Sequence, residues 1–212
     1  LSAGLRDFAV PEAVGSSARV FSLDYAPMSG DYANSPVIKI MRPDQKTYAK
    51  PLFESEIRIL SLLKDVKGVT PMLALAFLQV ESGAWPAEIA PLTTSLQTAA
   101  SAASLKGSAD IFDPDESESF LEQLPGRMAD GWLPAIILPR RWEDNLYLRC
   151  DAGYTRGEFH RAFSVKEALQ ISLQICSILE AAHAQRVVYL DHKILHYYWN
   201  EPRRQTFILD WN

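Results

Sequence analysis

The chain predicts an α+β fold in two lobes, a strand-rich first half carrying one helix and a mainly helical second half. Three observations carry this. Short apolar runs between turn residues fill 8–41 and 69–80, the pattern of strands. Two segments carry helical periodicity instead, one opening at Pro51 and a longer one at Ser164. A hairpin signal closes the chain: the aromatic-rich runs V-V-Y-L-D-H-K-I-L-H-Y-Y-W and Q-T-F-I-L-D-W-N flank a turn marked by Asn200 and Pro202.

In order, residues 8–25 read as two strands around a small-residue turn, where a backbone can approach phosphate oxygens with its amides turned inward. The next strand, S-P-V-I-K-I-M-R, places Lys39 between apolar neighbours. A helix is expected near 51–64, with Pro51 at its first position. On its wheel Glu56 falls in the middle of the stripe of Leu52, Phe53, Ile59, Leu60 and Leu63, while Glu54 and Arg58 share the wet face. A carboxylate centred on a buried stripe costs several kcal/mol unless a cation meets it, and Lys39 is the obvious partner.

Val69–Val80 reads as one or two buried strands. Residues 81–131, rich in Ala, Ser, Thr and Pro and then acidic, read as a flexible, solvated insertion, with Asp115 and Glu118 able to cap a short helix through Leu124. L-P-A-I-I-L-P is a short buried strand, followed by a helix at W-E-D-N-L-Y-L-R. From Ser164 to Gln185 runs the longest helix, opened by the capping box Ser164–Glu167. Its two stripes, Leu169/Leu173/Cys176/Leu179 and Ile171/Ile175/Ile178/Ala182, leave it apolar on most of its circumference. That predicts a central core helix.

Composition narrows the function. A chain of 212 residues with 48% hydrophobic and 22% charged residues has the make-up of a globular protein. A net charge of -5 gives no electrostatic case for nucleic acid or an anionic membrane. No apolar run approaches the ~20 residues that span a bilayer. Cys150 and Cys176 form neither a metal-ligand spacing nor a disulfide framework, which fits a reducing, cytoplasmic setting. Both ends of the chain read as boundaries within a longer protein.

The hairpin carries the chemistry. Asp191 lies in its first run and Asp210 near the end of its second, so folding it brings two carboxylates together beside Lys193. Such a group suits a metal ion and a phosphate. The pattern resembles the protein kinase family: Asp191 and Lys193 stand at the Asp and Lys of its H-R-D-x-K motif, and Asp210-Trp211-Asn212 at its D-F-G. The order of the remaining features agrees, with a small-residue turn, Lys39, Glu56, a hinge strand and a core helix preceding the catalytic loop.

The resemblance implies a kinase-like fold: an antiparallel N-lobe over 1–135, a hinge over 136–145 and a truncated helical C-lobe over 146–212. It further implies an ATP-dependent phosphotransferase of the Ser/Thr protein kinase kind, acting on a protein substrate with Mg²⁺ (or Mn²⁺). In it Lys39 contacts the phosphates, Glu56 holds Lys39, Asp191 takes the acceptor proton and Lys193 neutralises the transferred group. Ala13, Gly15, Ala18 and Val20 take the places of the glycine-rich loop, Ile137 or Leu138 lines the adenine pocket, and Asp210 and His196 take the metal positions. Departures point to an alternative, a pseudokinase that binds nucleotide or a regulatory protein partner without turnover. Two of three loop glycines are alanine. Tyr189-Leu190 replaces His-Arg, implying control without a phosphorylated activation loop. His196 replaces a metal-binding Asn, and Trp211-Asn212 replaces Phe-Gly.

Overall fold

The computed structural model of the chain describes residues 13–14, 18–22, 36–42, 46–80, 107–141, 145–154 and 163–211. The chain divides into two compact units, Leu1–Glu54 with Met72–Arg140 and Ser55–Pro71 with Arg141–Asn212.

In the first unit the β-branched and apolar runs pair into one six-stranded sheet, every neighbouring pair antiparallel. The strands are β1 (Ala13–Val14), β2 (Ala18–Ser22), β3 (Pro36–Met41), β4 (Ala74–Val80), β5 (Gly107–Phe112) and β6 (Leu133–Pro139), in the order β1-β2-β3-β6-β4-β5. Alternation sends Ile38 and Ile40 to one face, where they pack with Ala76, Leu78 and Ala135. Lys39 is turned to the other face, in register with Val20 and Ile136. β6 lies between β3 and β4, which explains its near-continuous apolar run. It reaches Pro139, so the first residues of the expected hinge are strand.

The acidic half of the expected insertion is not a solvated excursion. β5 pairs with β4 from Leu75↔Phe112 to Val80↔Gly107, and α2 (Ser117–Ala129) buries Phe120, Leu121, Leu124 and Met128. Phe120 stacks on Phe77 at 4.2 Å and meets Phe112 edge-on at 5.4 Å. Local composition hid this, because Phe120 and Leu124 are one turn apart among acids and prolines. Asp115 and Glu118 do not cap α2: the reciprocal box is Asp113 with Glu116, it opens a 3₁₀ turn at Pro114–Glu116, and α2 follows without a side-chain cap of its own. Residues 81–106 lie outside the described residues.

α1 runs from Lys46 to Leu62, beginning before Pro51. The proline ring removes one backbone hydrogen bond. Burial of Ala49 and Phe53 on either side of it, at 0% and 1% exposure, offsets that loss and carries the helix through. Ile57, Leu60 and Leu63 continue the same buried face.

The second unit holds α3 (Leu146–Tyr154), α4 (Val165–Ala184) and a two-stranded ribbon of β7 (Tyr197–Asn200) and β8 (Gln205–Ile208). α3 starts later than the sequence implied because the Asn145 carboxamide accepts the Leu148 amide at 2.9 Å and caps it there. Trp142–Asp144 are outside the described residues. β7–β8 is held by the Asn200 turn: its Oδ1 accepts the Arg203 amide at 2.9 Å, and Arg204 adopts a left-handed φ of 49°.

α4 differs from the central core helix expected. Ile171, Ile178 and Ala182 are buried, but Leu169 and Leu173 are 60% and 69% exposed and Cys176 is exposed. β8 packs on one side of α4, and among the described residues nothing covers the other stripe. Gln174 adds polar ties, donating to the Arg204 carbonyl at 2.9 Å and accepting the Thr206 amide at 2.7 Å. Among the described residues no helix is long and apolar enough to cross a membrane.

The capping box at the start of α4 is formed: Ser164 Oγ accepts the Glu167 amide at 3.2 Å, and Glu167 Oε2 accepts the Ser164 amide at 3.0 Å. Those Ser164 bonds, helped by Arg149 and Arg204, hold the Glu167 carboxyl below its ordinary value of 4.5. Replacing Ser164 with Ala should cost about 1 kcal/mol. A carboxyl depressed on folding stabilises above its unfolded pKa and stops doing so as pH falls through the folded one. Urea titrations of wild type and Glu167→Gln should therefore differ near neutrality and converge below pH 4.5. A gap that stayed constant down to strong acid would contradict the assignment.

Candidate active site

The sequence-expected residues fall in several places. Lys39 on β3 and Glu56 on α1 are both buried, at 7% and 2% exposure, and each engages a partner. Ala13 is on β1 and pairs with Val20 on β2, where Ala18 is buried; Gly15 lies outside the described residues. Ile137 and Leu138 are on β6, half-buried, opposite Ile38 and Val37 of β3.

The remaining four meet. Local chain geometry explains how. After α4, Arg186 takes a left-handed φ of 60°, and residues 187–193 run as an irregular loop before a single 3₁₀ turn at Ile194–His196. This turn places His196 at the mouth of the β7–β8 ribbon, whose register pairs Tyr197 with Ile208. The ladder extends by one bond, Leu209 N–H to the His196 carbonyl at 3.0 Å, so the residue after Leu209 lies beside the imidazole.

That residue is Asp210. His196 Nε2 lies 3.5 Å from Asp210 Oδ2, while its Nδ1 lies 3.9 Å from Asp191 Oδ2 and 3.1 Å from the Asp191 carbonyl oxygen. Lys193 Nζ donates to Asp191 Oδ2 at 2.7 Å. Two carboxylates and an ammonium thus gather around one buried imidazole, the acids remaining about one-third exposed, with side-chain values of 34% and 38%. Asp210 has a φ of 61°, a left-handed conformation that only a minority of non-glycine residues adopt.

Two residues of this site were not among the candidates read from sequence, Tyr189 and Trp211 as structural parts. The Tyr189 hydroxyl donates to the Leu209 carbonyl at 2.8 Å and stands 3.0 Å from His196 Nδ1. Its ring packs on Trp211 at 4.8 Å. The Trp211 indole N–H donates to the Ile208 carbonyl at 3.1 Å, and the side chain is 1% exposed. Burial, with the nearby Tyr197, Asp210 and Asp191, pushes the Tyr189 phenol far above its ordinary range, so it keeps its proton at every physiological pH. Burial also raises Tyr197, whose hydroxyl meets His192 Nδ1 at 2.5 Å. The available signal was two aromatics at fixed offsets from the two acids, one before Asp191 and one after Asp210.

A carboxylate oxygen and an imidazole nitrogen are both competent donors for a divalent cation. Among the described residues no group of three or more His, Cys, Asp and Glu is placed to hold a metal ion.

No protein-family model matches the chain, and no curated protein matches it.

Proposed function

We propose that the chain is an ATP-dependent phosphotransferase domain resembling a Ser/Thr protein kinase, transferring the γ-phosphoryl group to a protein hydroxyl. The observation that supports this most is the gathering of Asp191, Lys193 and Asp210 around His196, with Asp210 held in a left-handed backbone conformation. Phosphoryl transfer is mostly positioning and charge stabilisation, so few groups need to be placed.

In this reading the Asp191 carboxylate orients the acceptor hydroxyl and takes its proton. Lys193, already on Asp191, moves its charge to the transferred phosphoryl oxygens. Asp210 and His196 hold Mg²⁺ or Mn²⁺, which when bound offsets the negative charge of the phosphates. As the resemblance implies, Lys39 serves the nucleotide phosphates and Glu56 is its counter-ion. Ala13, Gly15, Ala18 and Val20 cover the phosphates, and Ile137 and Leu138 line the adenine.

The second reading, a pseudokinase that binds nucleotide or a regulatory partner without turnover, draws on Trp211, whose near-complete burial ties down the segment that other kinases move. A thermal-shift titration with ATP, alone and with Mg²⁺ or Mn²⁺, tests binding. At a ligand excess of about 100 times Kd the folded state gains about 2.7 kcal/mol. We expect a metal-dependent part of that gain, lost in Asp210→Ala. The absence of any shift with ATP and either metal would overturn the nucleotide reading. Radiolabel transfer to a protein acceptor, abolished in Asp191→Asn, separates the enzyme from the pseudokinase; removing such a base costs about 10²–10⁴-fold in rate.

A further inference from the structure

The exposed side of α4 carries a pattern of its own. At about 100° per residue, Val165, Leu169, Leu173 and Cys176 fall within about 80° of the helix circumference, forming one stripe. Val165, Leu169 and Leu173 are 79%, 60% and 69% exposed, and Cys176 is exposed beside them. A shallow groove runs along this face, lined by the same three apolar residues with Gln170 and Gln174. Its polar wall is fixed: Gln174 holds the Arg204 carbonyl and the Thr206 amide, and Gln170 Oε1 accepts Arg204 Nε at 3.0 Å. Three large apolar side chains in line on a helix about 30 Å long make a patch of about the few-hundred-Å² size that marks an interaction site. The charges along the stripe choose the partner. Lys166 and Glu180, both exposed, lie on the same side of the wheel, one near each end. Lys166 stands in the first turn, where the helix dipole favours an anion, so the helix itself does not call for a cation there. Counted from Leu173, Lys166 lies seven residues one way and Glu180 seven the other.

We propose that α4 docks antiparallel on α4 of a second copy of this chain, about a two-fold axis at Leu173. Such a contact is self-complementary, as closed dimers require. It sets each Lys166 against Glu180 of the second copy, twice over, and brings the two Leu173 side chains together. Parallel pairing would set Lys166 on Lys166 and Glu180 on Glu180, like charges at both ends, with the two helix dipoles aligned. A single helix face covers less than the ~800 Å² per partner of a standard interface, so the dimer belongs to the weak class and forms in the micromolar range. The contact lies entirely on α4 and stands apart from the phosphotransferase reading.

Sedimentation velocity on the whole chain, from about 1 to about 300 μM, covers the range of a weak interface and should show a monomer–dimer equilibrium. Leu173→Glu, at an exposed position that the fold does not need, should leave a monomer throughout. Lys166→Glu should weaken the dimer about 10-fold, since it replaces two attractions by two repulsions. Lys166→Glu with Glu180→Lys should restore it. Disulfide trapping reads the orientation. In the antiparallel pair the two Cys176 stand six residues apart along the axis, about 9 Å, beyond the ~7 Å Cα reach of a disulfide, whereas position 173 meets its own copy. Leu173→Cys, in a chain also carrying Cys150→Ser and Cys176→Ser, should therefore cross-link under mild oxidant faster than the wild type does through Cys176. A chain that stays monomeric at the top of the concentration range would overturn the proposal. So would a dimer indifferent to Leu173→Glu, a double reversal that fails to restore association, or a Cys176–Cys176 cross-link that forms faster than the one at position 173.

Discussion

Gly68→Ala should destabilise the unit that carries the acidic cluster by about 3 kcal/mol, the sum of a backbone and a packing cost. Gly68 has a φ of 98°, where an L side chain is strained whatever the space around it. A Cβ there would also collide with Ile178 on α4, meeting its Cγ1 at 2.7 Å and its Cδ1 closer still, and would crowd the Thr206 carbonyl at 3.1 Å. Neither neighbour yields easily, since Ile178 is 4% exposed and Thr206 belongs to β8. The position matters because the Gly68 carbonyl accepts the Ile208 amide at 2.8 Å, which anchors the strand leading into Asp210. Urea denaturation gives the measurement. Pairing the change with Ile178→Val should recover part of the packing cost and none of the backbone cost, a non-additivity expected of touching residues. A single-variant loss below about 1 kcal/mol would show that the chain relaxes there and that close approach is not needed.

Trp211→Ala should cost about 3–5 kcal/mol, the range for emptying a large buried aromatic site. The side chain is 1% exposed, packs on Tyr189 at 4.8 Å and closes a hydrogen bond to the Ile208 carbonyl at 3.1 Å. Trp211→Phe keeps a ring against Tyr189 but leaves the Ile208 carbonyl without its indole donor, and should cost about 1–3 kcal/mol. Hydrogen exchange separates this from a general loss of stability. The Leu209 amide, bonded to the His196 carbonyl, should exchange faster in both variants than α4 amides of equal global stability. Equal acceleration at both places would mean that Trp211 only fills space and does not hold the Ile208–Asp210 turn.

Much of the local structure was legible in the sequence. Asn200 and Pro202 announced the ribbon, Ser164 and Glu167 the start of α4, and the wheel position of Glu56 its burial. Each is a relation between residues a few positions apart, where chain geometry leaves little choice. Other features escaped for the opposite reason. The stretch over Ser117–Ala129 read as part of a solvated insertion with at most a short helix through Leu124, yet its helix buries Phe120 and Leu124 against an aromatic cluster formed with β4 and β5. The Leu169–Leu173 stripe of α4 looked like core and is exposed, because burial depends on what arrives from elsewhere in the chain.

The site divides along the same line. The residue order placed Asp191, Lys193 and Asp210 as candidates, since spacing along a hairpin is a one-dimensional property. Their convergence on His196 depends on the loop before the ribbon and on the register of β7 against β8, which brings the left-handed turn at Asp210 beside the imidazole. Register is set by which faces can be buried, and a slip of one residue would send the side chains of β8, which leads into Asp210, to the opposite face. The sequence by itself determined where chain breaks, caps and charges stand. Tertiary packing decided which of those charges meet, because directional bonds between distant residues exist only once the backbone between them is fixed.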